Sequence, residues 1–142
     1  MTAPDPRFWV NTVSLDHVEG AIAGGFTQAD HGANTRLRRL GVGDGVVFYS
    51  PRTEMGRGDP VQQFTAIGIV TGEEPYQVTM SEDFHPWRRA MEFPPCVRVD
   101  VKPLAAELSF IHDPTHWGLP FRRGLFEIPA SDYRFIVSLM RA

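Results

Sequence analysis

Glycine and proline recur so often along this chain, 13 and 12 times in 142 residues, that long uninterrupted helices do not fit between them. Glycine weakens helix and strand interiors and proline removes a backbone donor, so the fold is built from many short elements. The apolar runs between these breaks read as strands. Val46-Val47-Phe48-Tyr49 is preceded by Gly43-Asp44-Gly45 and followed by Ser50-Pro51, turn residues on either side of a β-branched and aromatic run. Phe8 to Thr12, Phe64 to Val70, Tyr76 to Met80 and Val97 to Val101 read as further strands, the Phe64 run buried except at Thr65 and Gly68.

The helices are expected to be short. Ser14 is placed to cap one that runs through Ala23 with Leu15, Val18 and Ile22 on one face, ended by Gly24-Gly25. Asn34 is placed to cap another that carries Leu37 and Leu40 and stops at Gly41. Pro103 suits the first position of a helix through Leu108, and Ser131 the cap of a last helix with Phe135, Ile136, Leu139 and Met140 as its apolar stripe. Five or six strands with short helices, and no regular strand-helix alternation, predict an α+β fold built on a small mixed barrel. With no repeat, low-complexity tract or composition break, residues 1–142 are expected to form a single domain.

Several function classes are disfavoured at this level. There is no apolar run of membrane-spanning length, and MTAPDPRFW has no basic segment leading into an apolar one, so a cytoplasmic protein without membrane contact is expected. The single cysteine, Cys96, forms no internal disulfide and no cysteine-based zinc site within one chain. A net charge of −3 is not that of a duplex binder held by bulk positive charge. Yet 13 of the 14 basic residues are arginine. They cluster at Arg36/Arg38/Arg39, Arg88/Arg89 and Arg122/Arg123, forks that suit phosphate or planar groups, with plain solvated charge as the other reading. His112 and His116 are four apart, but Pro114 interrupts any helix joining them and no zincin glutamate is present. Gly41-Val42-Gly43-Asp44-Gly45 fails the dinucleotide fingerprint because the helix precedes it and the strand follows. No metal, cofactor or catalytic residue is assigned.

The segment from Gly25 to Arg52 instead looks like a binding surface. Its first part, Gly25 to Gly32, is read as a glycine-bounded loop carrying Gln28, Asp30 and His31, which can hydrogen-bond to a flat polar ligand. With Trp9, Phe84, Trp87 and Trp117 it suggests a pocket with aromatic walls and a few fixed polar groups.

Six segments in order carry a family resemblance over essentially the whole chain. They are Trp9-Val10, Gly25-Phe26-x-Gln28-Ala29-x-His31-Gly32, Gly43-Asp44-x-Val46-Val47-Phe48-Tyr49-Ser50-Pro51, Phe64-Thr65-Ala66-Ile67-Gly68, Phe84-x-Pro86-x-Arg88-Arg89, and Trp117-Gly118 with Phe121-Arg122-x-Gly124-x-Phe126-Glu127-Ile128. In these the chain resembles the EVE domains of the PUA-like superfamily. The resemblance implies a PUA-like pseudobarrel of five or six strands flanked by short helices, related to YTH and ASCH domains. It also implies an aromatic-walled pocket for a modified base of DNA or RNA, with Trp9, Gln28, His31, Gly32, Tyr49, Ser50, Pro51, Phe84, Arg88 and Trp117 as ligand-binding candidates. Ala33 stands where similar sequences often have lysine, so that basic contact to phosphate is either missing or supplied by Arg36, and Arg88, Arg89 and Arg122 complete the candidates for phosphate.

Each candidate keeps a packing alternative: Trp9 as a core residue, His31 as a hydrogen-bonded turn residue, Arg88 and Arg89 as solvated charges. Phe26, Phe64 and Phe126 are read as core. The leading function is a nucleic-acid-binding module that reads a modified base. The alternative is an ASCH-like hydrolase acting on a modified nucleoside or base, which would need a general base that the sole lysine, Lys102, is poorly placed to supply.

Overall fold

The computed structural model describes residues 5–29 and 34–142. Strand β1, Phe8–Thr12, forms where its pattern predicts and sits between two partners, parallel to β3 (Gly45–Glu54) and antiparallel to β8 (Leu125–Ile128). The parallel pairing requires a crossover. It is made by helix α1 (Leu15–Gly24), strand β2 (Phe26–Ala29) and the single turn α2 (Thr35–Arg38). Strand β4 (Arg57–Val70) returns antiparallel to β3, and β6 (Trp87–Glu92) pairs with both β4 and β2. The resulting order is β2-β6-β4-β3-β1-β8, with two-residue strands β5 (Tyr76–Gln77) and β7 (Val99–Asp100) on β6 and β4. The fold is thus a mixed α+β half-barrel: the sheet curls, and β2 and β8 remain its two ends.

Alternation along the strands divides the apolar side chains between two cores. Val10, Val47, Tyr49, Phe64, Ile67 and Phe126 face helix α3 (Ala130–Met140), with Phe110 and Phe121 from the preceding 3₁₀ segments and loops. Trp9, Val46, Phe48, Ala66, Met91 and Leu125 face the inside of the curl, closed by Val18 of α1 and Leu40 after α2.

Several local expectations change. Gly25 to Gly32 is read as a loop, but Phe26–Ala29 is a strand, and residues 30–33 lie outside those described. Strand β3 does not end at Ser50-Pro51: register shifts on either side of Arg52 absorb the proline, as bulges do. Strand β4 begins seven residues before Phe64, because its outer half is a solvated hairpin arm with no burial pattern to read. Ser14 sits at the N-terminal cap of α1 without capping it; its hydroxyl goes to Asp16. Gly25, at φ 73, does end that helix. Ile22 is exposed, and Ala21 packs in its stead. The helix predicted from Pro103 is a 3₁₀ segment, Lys102–Glu107, and α3 starts after Pro129, before Ser131. The five strands expected all form, two of them only as the short β5 and β7, and the unexpected β2, β6 and β8 bring the described total to eight.

Candidate functional site

The open end of the curl at β2 holds a cavity of about 520 Å³, within the usual range of roughly 300–1,000 Å³ for small-ligand sites. Its walls come from three places: Asn11 to Ser14 at the end of β1, Asp16, His17 and Gly20 on α1, and Phe26, Thr27 and Gln28 along β2. Pro51, Arg52 and the exposed turn at Met55 close one side, and Arg36, Leu37 and Leu125 another.

Asn11 alternates with Val10 along β1 and therefore points into the curl, as Trp9 does. Its amide donates to the hydroxyl of Thr27 at 3.3 Å, the one side-chain hydrogen bond that links β1 to β2 among the described residues. Gln28 is oriented by Arg88, its cross-strand partner, whose Nε donates to Oε1 at 2.9 Å. A guanidinium only donates. The Gln28 carbonyl is therefore fixed toward Arg88, and its NH₂ group remains a donor for a ligand. The same guanidinium lies 3.9 Å from the ring centroid of Phe26, so stacking and a hydrogen bond hold it in one plane. Arg36 reaches the far wall beside Gly124, where φ is +77 and an added Cβ would stand 2.8 Å from its Nη1. That glycine leaves room for the arginine. At the α1 wall, the Ser14 hydroxyl donates to Asp16 at 2.6 Å and holds its carboxyl below the ordinary range, helped by the His17 backbone N–H.

Other predicted residues lie elsewhere. Trp9 is buried in the inner core, its indole donating to Asp44 at 2.9 Å, with the guanidinium groups of Arg7 and Arg39 within 5.0 Å of its ring. Tyr49 is stacked on Phe121 at 4.0 Å and meets Trp117 edge-on in the opposite core. Burial there pushes its phenol up to about 12, so it is no acid or base near neutrality. Ser50 is fully buried and shares a hydrogen bond with Thr65 at 2.8 Å. Phe84 is exposed at the end of the β5–β6 hairpin, and Arg122 is exposed on the 3₁₀ segment Leu119–Arg123. Of the ligand-binding candidates described, the cavity therefore gathers Gln28 and Pro51, with Arg36 from the phosphate set. His31 and Gly32 lie outside the described residues, in the segment that follows Gln28.

Arg89 departs furthest from its expected role. It is 2% exposed, and its guanidinium donates to the carbonyls of Leu37, Leu40, Gly72 and Glu73 at 2.7 to 3.1 Å. It ties α2 to the segment after β4 and has no path to a phosphate. Arg88 and Arg89, adjacent in sequence, thus face opposite sides of one strand. Cys96 is half-buried, its thiol pushed up by burial, and no three His, Cys, Asp or Glu converge among the described residues. His116 instead pairs with Asp113 at 2.9 Å in an exposed turn away from the cavity.

The EVE domain model matches residues 7–139. This chain is a member of the EVE domain family. UPF0310 proteins of Mycobacterium avium and Mycolicibacterium gilvum are 48% and 50% identical to it, each over 93% of this chain and 96% and 94% of their own. UPF0310 protein YdcG of Bacillus subtilis is 35% identical over 94% of this chain and 92% of its own. The fold is shared more widely. An ASCH protein of Zymomonas mobilis superposes with a TM-score of 0.60 at 10% identity, over 96% of this chain and 97% of its own. The YTH domain of the Zygosaccharomyces rouxii MRB1 protein, crystallised with N6-methyladenosine RNA, superposes with a TM-score of 0.60 at 18% identity, over all of this chain and 92% of its own. This EVE domain is therefore a PUA-like fold. No helix among its described residues is long and apolar enough to cross a membrane.

Sequence reasoning missed Asn11, Thr27 and Arg52 at the cavity. Asn11 left a signal: a polar residue at an inward position of an otherwise apolar strand end is either paired or facing a ligand.

Proposed function

We propose that this EVE domain is a nucleic-acid-binding module that takes a modified base of DNA or RNA out of its stack and into the β2-edge cavity. The observation that carries the reading is the cavity's composition: base-sized space at an unclosed sheet edge, the Phe26 ring, a set of amide and hydroxyl groups, and two arginines alongside the carboxylates of Asp16 and Glu54. Amides and hydroxyls read a base edge without a change of protonation. Gln28 offers its NH₂ group and Asn11 its carbonyl oxygen, the Asn11 amide being oriented by the buried Thr27 hydroxyl. Arg36 and Arg52 at the cavity are assigned to phosphates, which position the strand without reading it. His31 and Gly32 belong to the proposal through the family motif they complete. Tyr49, Ser50, Trp9 and Trp117 enter it as the packing that fixes the strands bearing the site, and not as surfaces touching the base.

A methyl group in an apolar niche contributes about 0.8 kcal/mol, a few-fold preference. Larger discrimination requires that the wrong base leave a polar group such as the Gln28 amide unpaired. The shared fold of the YTH domain solved with N6-methyladenosine RNA supports the class of partner.

The test is a binding screen of single- and double-stranded oligonucleotides containing N6-methyladenine, 5-methylcytosine or only unmodified bases, run beside a nucleoside turnover assay. The expected result is a preference for a modified strand that Gln28→Ala reduces, with no altered nucleoside released. Equal affinity across the panel would remove base reading, and release of product over many turnovers would assign the site to an ASCH-like hydrolase.

A further inference from the structure

We propose that the outer face of the β5–β6 hairpin is a platform for the nucleotide adjoining the base in the cavity. On it, Tyr76 and Met80 carry the neighbouring base and Arg88 pairs with the phosphate between the two. The inference rests on the base-reading proposal above and adds a second subsite, which makes the ligand a strand and not a free base.

The first observation is exposure. Tyr76, Met80 and Phe84 are 42%, 56% and 40% exposed on one hairpin, three of the eight large apolar side chains left to solvent among the described residues. The ladder holding them is regular: Tyr76 pairs with Arg88, the Val78 N–H donates to Pro86, and the Met80 N–H donates to Phe84. These side chains are therefore presented on a fixed scaffold, as a stacking surface requires.

The second observation is the state of Arg88. Its guanidinium lies over Phe26 at 3.9 Å, gives Nε to Gln28 and sets Nη2 3.2 Å from the Met80 sulfur. A cation already held in plane loses little freedom when an anion binds. It has no carboxylate partner among the described residues: the three ion pairs there involve Arg7, Arg57 and His116.

The third observation is continuity. Tyr76, Arg88 and Gln28 stand directly opposite one another across three strands, so they share one face of the sheet. Gln28, at one end of this row, lines the cavity together with Phe26, its same-face neighbour two residues back along β2. Two strand spacings, about 10 Å, separate Gln28 from Tyr76, against about 3.4 Å between stacked bases. A strand crossing this row is splayed at that step, which is the conformation that lets one base enter a cavity while its neighbour lies on the surface. Glu82 and Asp83, exposed at the hairpin turn, repel phosphate beyond that point and limit the platform to one nucleotide.

The test compares N6-methyladenosine and 5-methylcytidine as free nucleosides with trinucleotides carrying the same base between two adenosines. The expected result is a trinucleotide bound at least tenfold tighter than its nucleoside. Tyr76→Ala should remove roughly five- to a hundredfold of trinucleotide affinity, the usual effect of one stacked base, and leave nucleoside binding unchanged. Equal affinity for nucleoside and trinucleotide, or no effect of Tyr76→Ala on either, would overturn the platform and leave base reading intact. Failure of the unaltered protein to bind any probe would overturn both. A Tyr76-dependent dimer in sedimentation, abolished in Tyr76→Ala, would give the face to a second copy of the chain instead.

Discussion

On the side of the sheet covered by α3, Tyr49, Phe64, Phe110, Phe121 and Phe126 close on one another at ring-centroid distances of 4.0 to 6.3 Å; at the β2 edge, Phe26 faces a guanidinium and a cavity. Both regions draw on the same residue types, and both lie in segments that look like ligand-binding motifs. What separates them is whether another element covers the ring. The 3₁₀ segments and α3 close over Tyr49, whereas β2 ends the sheet and nothing pairs with its outer side among the described residues. Aromatic content therefore marks both a closed core and an open cavity wall, and only the topology tells which is which.

The largest test of this contrast is Tyr49→Ala. Removing a ring stacked in a closed core costs about 3–5 kcal/mol, so a urea titration should show a large loss of midpoint. A variant with an unchanged midpoint but lost oligonucleotide binding would return Tyr49 to the site. The phenol sharpens the point through pH. Burial raises its folded value to about 12, above the unfolded value near 10. Its contribution to stability is therefore complete below about pH 10 and is lost as pH rises toward 12, since the unfolded chain releases the proton first. Tyr49→Phe should remove that part of the alkaline decline.

Next in size is the contrast between neighbouring arginines. Arg89→Met leaves four carbonyls without their buried donor and should cost roughly 1–3 kcal/mol in stability. The salt dependence of oligonucleotide binding should not change in that variant if it remains folded. Arg36→Ala should do the reverse, with little change in the urea midpoint and a slope of log affinity against log salt reduced by about 1. A reduced slope in Arg89→Met would break the assignment of Arg89 to the fold.

The same contrast explains what was legible in the sequence. Strand β1, the centre of β3 and the buried half of β4 declare themselves because both faces of those strands are covered and apolar. Strand β6 does not, since Trp-Arg-Arg-Ala-Met-Glu places a buried guanidinium where a strand pattern expects a hydrophobe. Strand β2 is only four residues long and follows a glycine pair, so it reads as a loop. The family motifs include the stretch around Gln28 that lines the cavity. They do not distinguish residues that touch a ligand from residues that hold the strands in place, because both are fixed by the same fold. Trp9 shows the difficulty: its hydrogen bond to Asp44 lies 35 residues away in sequence, and no local pattern encodes it.

The smallest expected effect is at the cavity wall, where Asp16 accepts from the Ser14 hydroxyl and the His17 N–H in the first turn of α1. Its folded pKa lies below the unfolded value, the Ser14 hydroxyl being the largest cause. The carboxylate therefore stabilises the fold above about pH 4, and this contribution fades as pH falls through the lower folded value. Asp16→Asn keeps the shape and removes the charge. Because the group is largely solvated, its melting temperature should lie only slightly below that of the unaltered protein at pH 7, and the gap should close in strong acid. Binding should move the other way. A negative charge on the wall repels a phosphate backbone, so Asp16→Asn should bind oligonucleotides slightly tighter, most visibly at low salt. Weaker binding in Asp16→Asn would instead place the carboxylate in contact with a donor on the base, and would move the reading edge from β2 to α1.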